Sequence, residues 1–163
     1  MIQIKNAAEL EKMRKACAIS AAALKAGGEA IEPGITTAEI DKIIYDFIVR
    51  HGARPNFLHL YGFPATACIS VNDTVIHGIP NRQQQIRPGD IVSIDTGCKI
   101  DGFNGDNACT YGCGKLDLEA QRLLDVTKES LHRGIEMARG GNRIGDISHA
   151  VQSYVEENGF SVV

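Results

Sequence analysis

The sequence predicts an α+β protein with an antiparallel sheet and helices packed on one of its faces. Three observations carry this. A pair of amphipathic helical segments opens the chain, a block of short apolar runs split by turn residues follows, and a second helical pair comes after it. At 163 residues, 44% hydrophobic and 23% charged, the chain has the size of one globular domain able to bury a core.

The first helix is signalled by Asn6 as cap, with Glu9 three residues on to complete a capping box. Leu10, Met13, Cys17, Ala21 and Leu24 recur at helical spacing and read as its buried face, and Gly27-Gly28 loosens its end. A second helix starts after Pro33-Gly34, with Thr36 and Glu39 as another capping box. Ile40, Ile43, Ile44, Phe47 and Ile48 form its apolar stripe, and Gly52 ends it.

Between about Phe57 and Tyr111 the texture is that of strands. Cys68–Val71, the turn Asn72-Asp73 and Thr74–His77 read as one β-hairpin. Asp90–Asp95 is a strand entered through Pro88-Gly89. Asp101-Gly102 is a two-residue turn, so a partner strand is expected up to Tyr111. A third helix is expected over 117–138, with Leu123, Thr127, Leu131 and Ile135 inward. A fourth is expected over 144–158, with Ile147, Val151, Tyr154 and Val155 inward and Gly159 as its C-cap; Phe160–Val163 then reads as a strand.

A displacement of 107 residues superposes the two helical pairs without a gap: Leu24 falls on Leu131, Gly27 on Gly134, Gly34 on Gly141, Ile40 on Ile147, Ile44 on Val151 and Gly52 on Gly159. Matched glycines at both helix ends argue for an internal duplication. On this reading residues 1–163 are a single, incomplete domain: 1–115 is a first repeat, and 116–163 begins a second that stops roughly 60 residues short of its sheet.

The net charge of −3 and the absence of a basic stripe argue against DNA as a partner. Lys12, Arg14 and Lys15 belong to a solvated helix face. No apolar run has the ~18 residues of a membrane span, and the N-terminus lacks a signal-peptide core. Five cysteines form no CxxC pair. Cys109 and Cys113 find no further ligand at zinc-finger spacing, so a reduced, cytoplasmic protein is expected.

Asp95 interrupts the apolar run Ile91–Ile94, where a carboxylate costs several kcal/mol unless it is paired or binds a metal. With Asp101-Gly102 as the turn, Asp95 faces Ala108. Asp106 lies two residues away on the same face, its Cβ about 7–8 Å from that of Asp95. Two carboxylates so placed can hold metal ions ~3.5–4 Å apart; the alternative is a polar turn and a hydrogen-bonded network. His77, at the end of its expected strand, is a candidate to hydrogen-bond a substrate carbonyl or is structural. Leu60, Tyr61, Phe63 and Cys68 are candidates for a pocket wall or plain core.

Gly62–Asp73, Val75–Pro80, Gly89–Asp95 and Asp101–Asp106 resemble the bacterial (type I) methionine aminopeptidases, as do Glu11–Arg14 and Pro33–Thr37; the similarity covers the whole chain in register. The resemblance implies the two-halved "pita-bread" fold. It implies removal of the initiator methionine from nascent polypeptides with two divalent ions of the Co, Mn, Fe or Zn class. It makes Asp95 and Asp106 metal ligands, with Asp106 bridging, His77 the histidine near the scissile bond, and Cys68 and Phe63 walls of the methionine pocket. Leu60 stands where many members have Tyr, Asn104 where His is common, and Asn107-Ala108 where Thr-Ser is usual. The family's remaining ligands, a His and two Glu, match no position here, so low or no activity of this chain alone is expected, with a non-catalytic binding module or pseudoenzyme as the alternative. Ribosome association and pairing of two copies through an exposed sheet edge are further expectations.

Overall fold

The computed structural model describes residues 3–163. The chain divides into two compact units, 1–116 and 117–163.

In the first unit both capping boxes form. The Asn6 N–H donates to Glu9 Oε2 at 2.8 Å and the Glu9 N–H to Asn6 Oδ1 at 3.0 Å, opening α1 (Ala7–Glu29). Thr36 and Glu39 do the same for α2 (Thr37–Arg50). The buried face of α1 is not the expected one. Leu10, Cys17 and Ala21 are exposed, and Ala16, Ser20, Ala23, Leu24, Gly27 and Gly28 are buried. The reason is close approach: a Cβ on Gly28 would lie 2.2 Å from the Tyr111 ring, and Gly105 on the sheet meets the Ala16 carbonyl. Small residues make that contact, so a search for large apolar side chains finds the neighbouring stripe. Gly27 and Gly28 therefore lie inside the helix, which continues to Glu29. In α2, Ile40, Ile44 and Ile48 are fully buried, as the stripe predicts.

The sheet is antiparallel and built on β3 (Ile91–Ile100). The short β1 (Arg54–Pro55) and β2 (Ala67–Val71) pair with one side of it, and β4 (Phe103–Gly112) pairs with the other. Asp101 (φ 52°) and Gly102 (φ 84°) make the β3–β4 turn, giving the expected opposition of Asp95 and Ala108 and placing Gly97 across from Asp106. Alternate residues Val92, Ile94, Thr96 and Cys98 are fully buried in the core with Ala67 and Ile69. The opposite face of β3 carries Ser93, Asp95 and Gly97, next to Ser70 and Cys68 of β2. On that face Ser93 and Asp95 are half-buried, while Cys68 and Ser70 of β2 are buried.

The expected hairpin of Cys68–Val71 with Thr74–His77 does not form. Cys68 pairs with Asp95 and Val71 with Val92, while 74–77 is turn and loop, bent back by Asn72 at φ 53°. β2 finds a longer partner in β3, and Val75 and Ile76 have no face to bury against: they are 63% and 66% exposed.

In the second unit, Asp117 caps α3 (Leu118–Met137) through the Ala120 N–H at 2.7 Å, and α4 spans Ile144–Glu157. The displacement of 107 residues carries the bounds of α2 onto those of α4. It also relates their packing. A Cβ on Gly27 would meet Ile44 at 2.7 Å, and one on Gly134 would meet Val151 at 2.8 Å. The inner face of α3 differs from expectation: Val126, Ser130 and Gly134 are buried, while Thr127 is exposed and Leu131 and Ile135 are 58% and 59% exposed. The stripe Leu123–Thr127–Leu131–Ile135 corresponds to Ala16–Ser20–Leu24–Gly28 in the first unit, the row that meets β3 and β4. Within the second unit the described residues form no sheet to cover it. Val155 is buried and Ile147, Val151 and Tyr154 half-buried, on the expected side of α4. Gly159 ends α4 at φ 76°. Phe160–Val163 forms no strand; the Arg122 guanidinium lies over the Phe160 ring at 4.9 Å. Among the described residues no helix is long and apolar enough to cross a membrane.

Candidate metal and substrate site

Asp95 and Asp106 lie on one face of the β3–β4 hairpin, diagonal to each other, because Asp95 opposes Ala108 and Asp106 opposes Gly97. Burial holds the Asp95 carboxyl above its usual range, and the charge of Asp106 and a side-chain contact with it push the same way; the charge of His77 opposes them. Two carboxylates brought this close repel, and a cation between them would relieve that repulsion. The donor set is therefore suited to a hard divalent ion. Among the described residues no group of three or more His, Cys, Asp or Glu gathers around a common point. Asp95 and Asp106 stand as a pair.

A cavity of about 490 Å³ opens beside Asp95. It is lined by Phe57, Leu60, Tyr61, Gly62, Phe63, Pro64, Cys68, His77 and Ile79 together with Asp95. The structure thus brings His77, Cys68, Phe63, Leu60 and Tyr61 to one place. Asp106 lies next to Asp95 without lining the cavity. Burial pushes the Cys68 thiol up to about 11, reinforced by Asp95, Asp106 and Asp41. At neutral pH it is a protonated, apolar wall. The segment 59–62 reaches its position through left-handed backbone at His59 (φ 69°) and Tyr61 (φ 50°).

His77 projects from a loop, and its backbone is also left-handed, at φ 58°. Asn104 is exposed on the Asp106 side of β4. Asn107 points the other way, toward the helices, and its Nδ2 is buried without a partner among the described residues. Of these three departures, Asn104 and Ala108 share the face of Asp106 and Asn107 does not.

Phe57, Pro64, Ile79 and Asp41 were not legible as site residues. The first three are ordinary loop side chains whose meeting depends on the chain path. Asp41 lies on α2 outside its apolar stripe. In the fold its Oδ1 accepts from the backbone N–H groups of Thr66 (2.9 Å) and Ala67 (2.8 Å), tying α2 to the start of β2 beside Cys68. Its carboxyl is raised by burial, against the lowering effect of those two bonds.

Comparison with known proteins bears on the family and the fold. A model of metallopeptidase family M24 matches residues 11–163. The methionine aminopeptidase of Clostridium perfringens is 51% identical over 163 residues, covering all of this chain and 65% of that protein. Methionine aminopeptidase 1 of Bacillus subtilis is 44% identical over 163 residues, with the same shares of both chains. This chain therefore spans 65% of the length of these relatives. The crystal structure of methionine aminopeptidase from Rickettsia prowazekii matches with a TM-score of 0.97 at 38% identity, covering 100% of this chain and 65% of that one. Aminopeptidase P of Escherichia coli matches with a TM-score of 0.82 at 25% identity, covering 94% of this chain and 34% of that one. The fold is the α+β pita-bread fold. With its carboxylate pair, its cavity and 153 of its 163 residues matched, the chain belongs to metallopeptidase family M24.

Proposed function

We propose that this chain carries part of a methionine aminopeptidase site, acting on the N-terminal methionine of new polypeptides in the cytoplasm. The observation that supports it most is the placement of Asp95 at the edge of a largely apolar cavity, with Asp106 beside it on the same sheet face. In this reading Asp95 and Asp106 would hold the divalent metal. His77 hydrogen-bonds the substrate near the scissile bond, and Cys68, Phe63, Leu60 and Tyr61 receive the methionine side chain. Bound divalent ions supply Lewis-acid polarisation of a carbonyl and a water of lowered pKa. The chain's own residues orient the peptide and exclude water from around the thioether.

By itself the 163-residue chain is expected to hold metal weakly and release little methionine, because two carboxylates leave most positions of an ion to water. Calorimetric titration with Mn²⁺ should give a Kd on the order of 0.1–1 mM, lost in Asp106→Asn. Unchanged binding in that variant would remove Asp106 from the site. Methionine release from a Met-Gly-X peptide at rates typical of complete peptidases, ~1–10³ per second, would overturn the expectation of low activity. The second reading, a non-catalytic binding module, rests on the small ligand set and predicts peptide binding unaffected by metal. The outer edge of β4 has no strand partner among the described residues, which supports pairing of two copies. Sedimentation as a monomer at high concentration would exclude it.

A further inference from the structure

We propose that Ser70 is a positioning residue for His77, acting through the backbone N–H of Gly78. This rests on the reading of His77 as the substrate-contacting histidine.

The segment that carries His77 is poorly held. Val75 and Ile76 are mostly exposed, and no strand pairing orders 72–80. Among the described residues, two hydrogen bonds tie the stretch between Thr74 and Asn81 to the rest of the protein, and both are at Gly78. The Ile69 N–H donates to the Gly78 carbonyl at 2.9 Å, and the Gly78 N–H donates to Ser70 Oγ at 3.1 Å. Gly78 is thereby clamped on the outer edge of β2. A Cβ there would lie 2.2 Å from the Ile69 carbonyl oxygen, so only glycine comes this close.

His77 immediately precedes the clamp and adopts φ 58°, a conformation uncommon for a residue with a Cβ. One half of the clamp is backbone and indifferent to sequence. The other half is a hydroxyl on a side chain only 4% exposed. Ser70 stands on the same face of the sheet as Cys68 and, across β3, Asp95. By holding Gly78, its oxygen sets where the imidazole of the preceding residue, His77, projects, into the cavity that Asp95 also lines.

The test uses the 163-residue chain as wild type, Ser70→Ala, Ser70→Thr, His77→Ala and the double variant Ser70→Ala/His77→Ala. Affinity for L-methioninamide, whose carbonyl stands in for that of a peptide, is read by NMR titration. Ser70→Ala should weaken binding between about threefold and tenfold, the effect of one net hydrogen bond. Ser70→Thr, which keeps the hydroxyl, should restore it. In the His77→Ala background, Ser70→Ala should have no further effect. An equal loss in that background would show that Ser70 acts independently of His77 and overturn the proposal. Loss in His77→Ala with none in Ser70→Ala would also overturn it. No loss in His77→Ala would instead overturn the reading of His77 beneath it. A ligand-free measurement stands beside these: the backbone carbon shifts of His77 should leave their positive-φ values in Ser70→Ala. Unchanged shifts would overturn the clamp itself.

Discussion

Gly105→Ala should be among the most damaging single-methyl additions this chain can receive. Gly105 lies on β4 next to Asp106, beneath α1. A Cβ there would lie 2.3 Å from the Ala16 carbonyl oxygen, 2.4 Å from its carbon and 2.7 Å from the Cys17 nitrogen. All three are backbone atoms, so no rotamer relieves the clash. Ordinary contact begins near 3.4 Å, so α1 must retreat by about 1 Å. That displacement separates Ser20 Oγ from the Thr96 carbonyl, now 3.1 Å away, and leaves a buried acceptor short of a partner. Overpacking costs about 1–3 kcal/mol and a buried unsatisfied group about 1–3 kcal/mol more, so roughly 3–5 kcal/mol is expected. Urea unfolding followed by far-UV circular dichroism should show the midpoint lowered by about 2 M at an ordinary m-value. Gly102→Ala is the control: its glycine has φ 84° with nothing within 4 Å of the new carbon, so only backbone conformation is strained, at about 1 kcal/mol. A Gly105→Ala chain no less stable than the Gly102→Ala chain would refute the claim that close approach, rather than backbone conformation, demands glycine at 105.

Two further substitutions probe burial. Asp41→Ala strands the Thr66 and Ala67 N–H groups and should cost about 2–4 kcal/mol, whereas Asp41→Asn keeps the accepting oxygen and should match or exceed wild type at pH 7. Burial raises the folded-state pKa of Asp41, so its charge costs stability that is absent below the unfolded pKa, about 4, and grows as pH rises through the folded value. The advantage of Asn should therefore shrink as pH falls toward about 4, and denaturant midpoints that show Asn as harmful as Ala at pH 7 would refute this account. Gly27→Ala meets Ile44, fully buried, and should cost about 1–3 kcal/mol. Gly134→Ala meets the half-buried Val151, which can yield, and should cost less than about 1 kcal/mol; equal losses on unfolding would show that burial does not set the difference.

By itself the sequence determined what local physics encodes. Capping boxes at Asn6 and Thr36 start helices whatever surrounds them, because the groups they satisfy lie within one turn. Asp101-Gly102 imposes a tight turn because both residues tolerate positive φ, and that turn alone sets the register joining Asp95 to Asp106. The motifs around Asp95, Asp106 and His77 pointed to the peptidase family through resemblance. What only the tertiary structure decided depends on neighbours distant in sequence. α1 turns its small residues, not its larger ones, to the sheet, because Gly105 and Tyr111 require close approach. The stripe over Leu131 and Ile135 stays exposed, because an apolar row is buried only where something covers it. His77 leaves the expected strand, because β2 pairs with β3 and leaves 74–77 no partner. Asp41 and Ser70, plain polar residues in the sequence, acquire their places by accepting from backbone N–H groups that only the fold brings within reach.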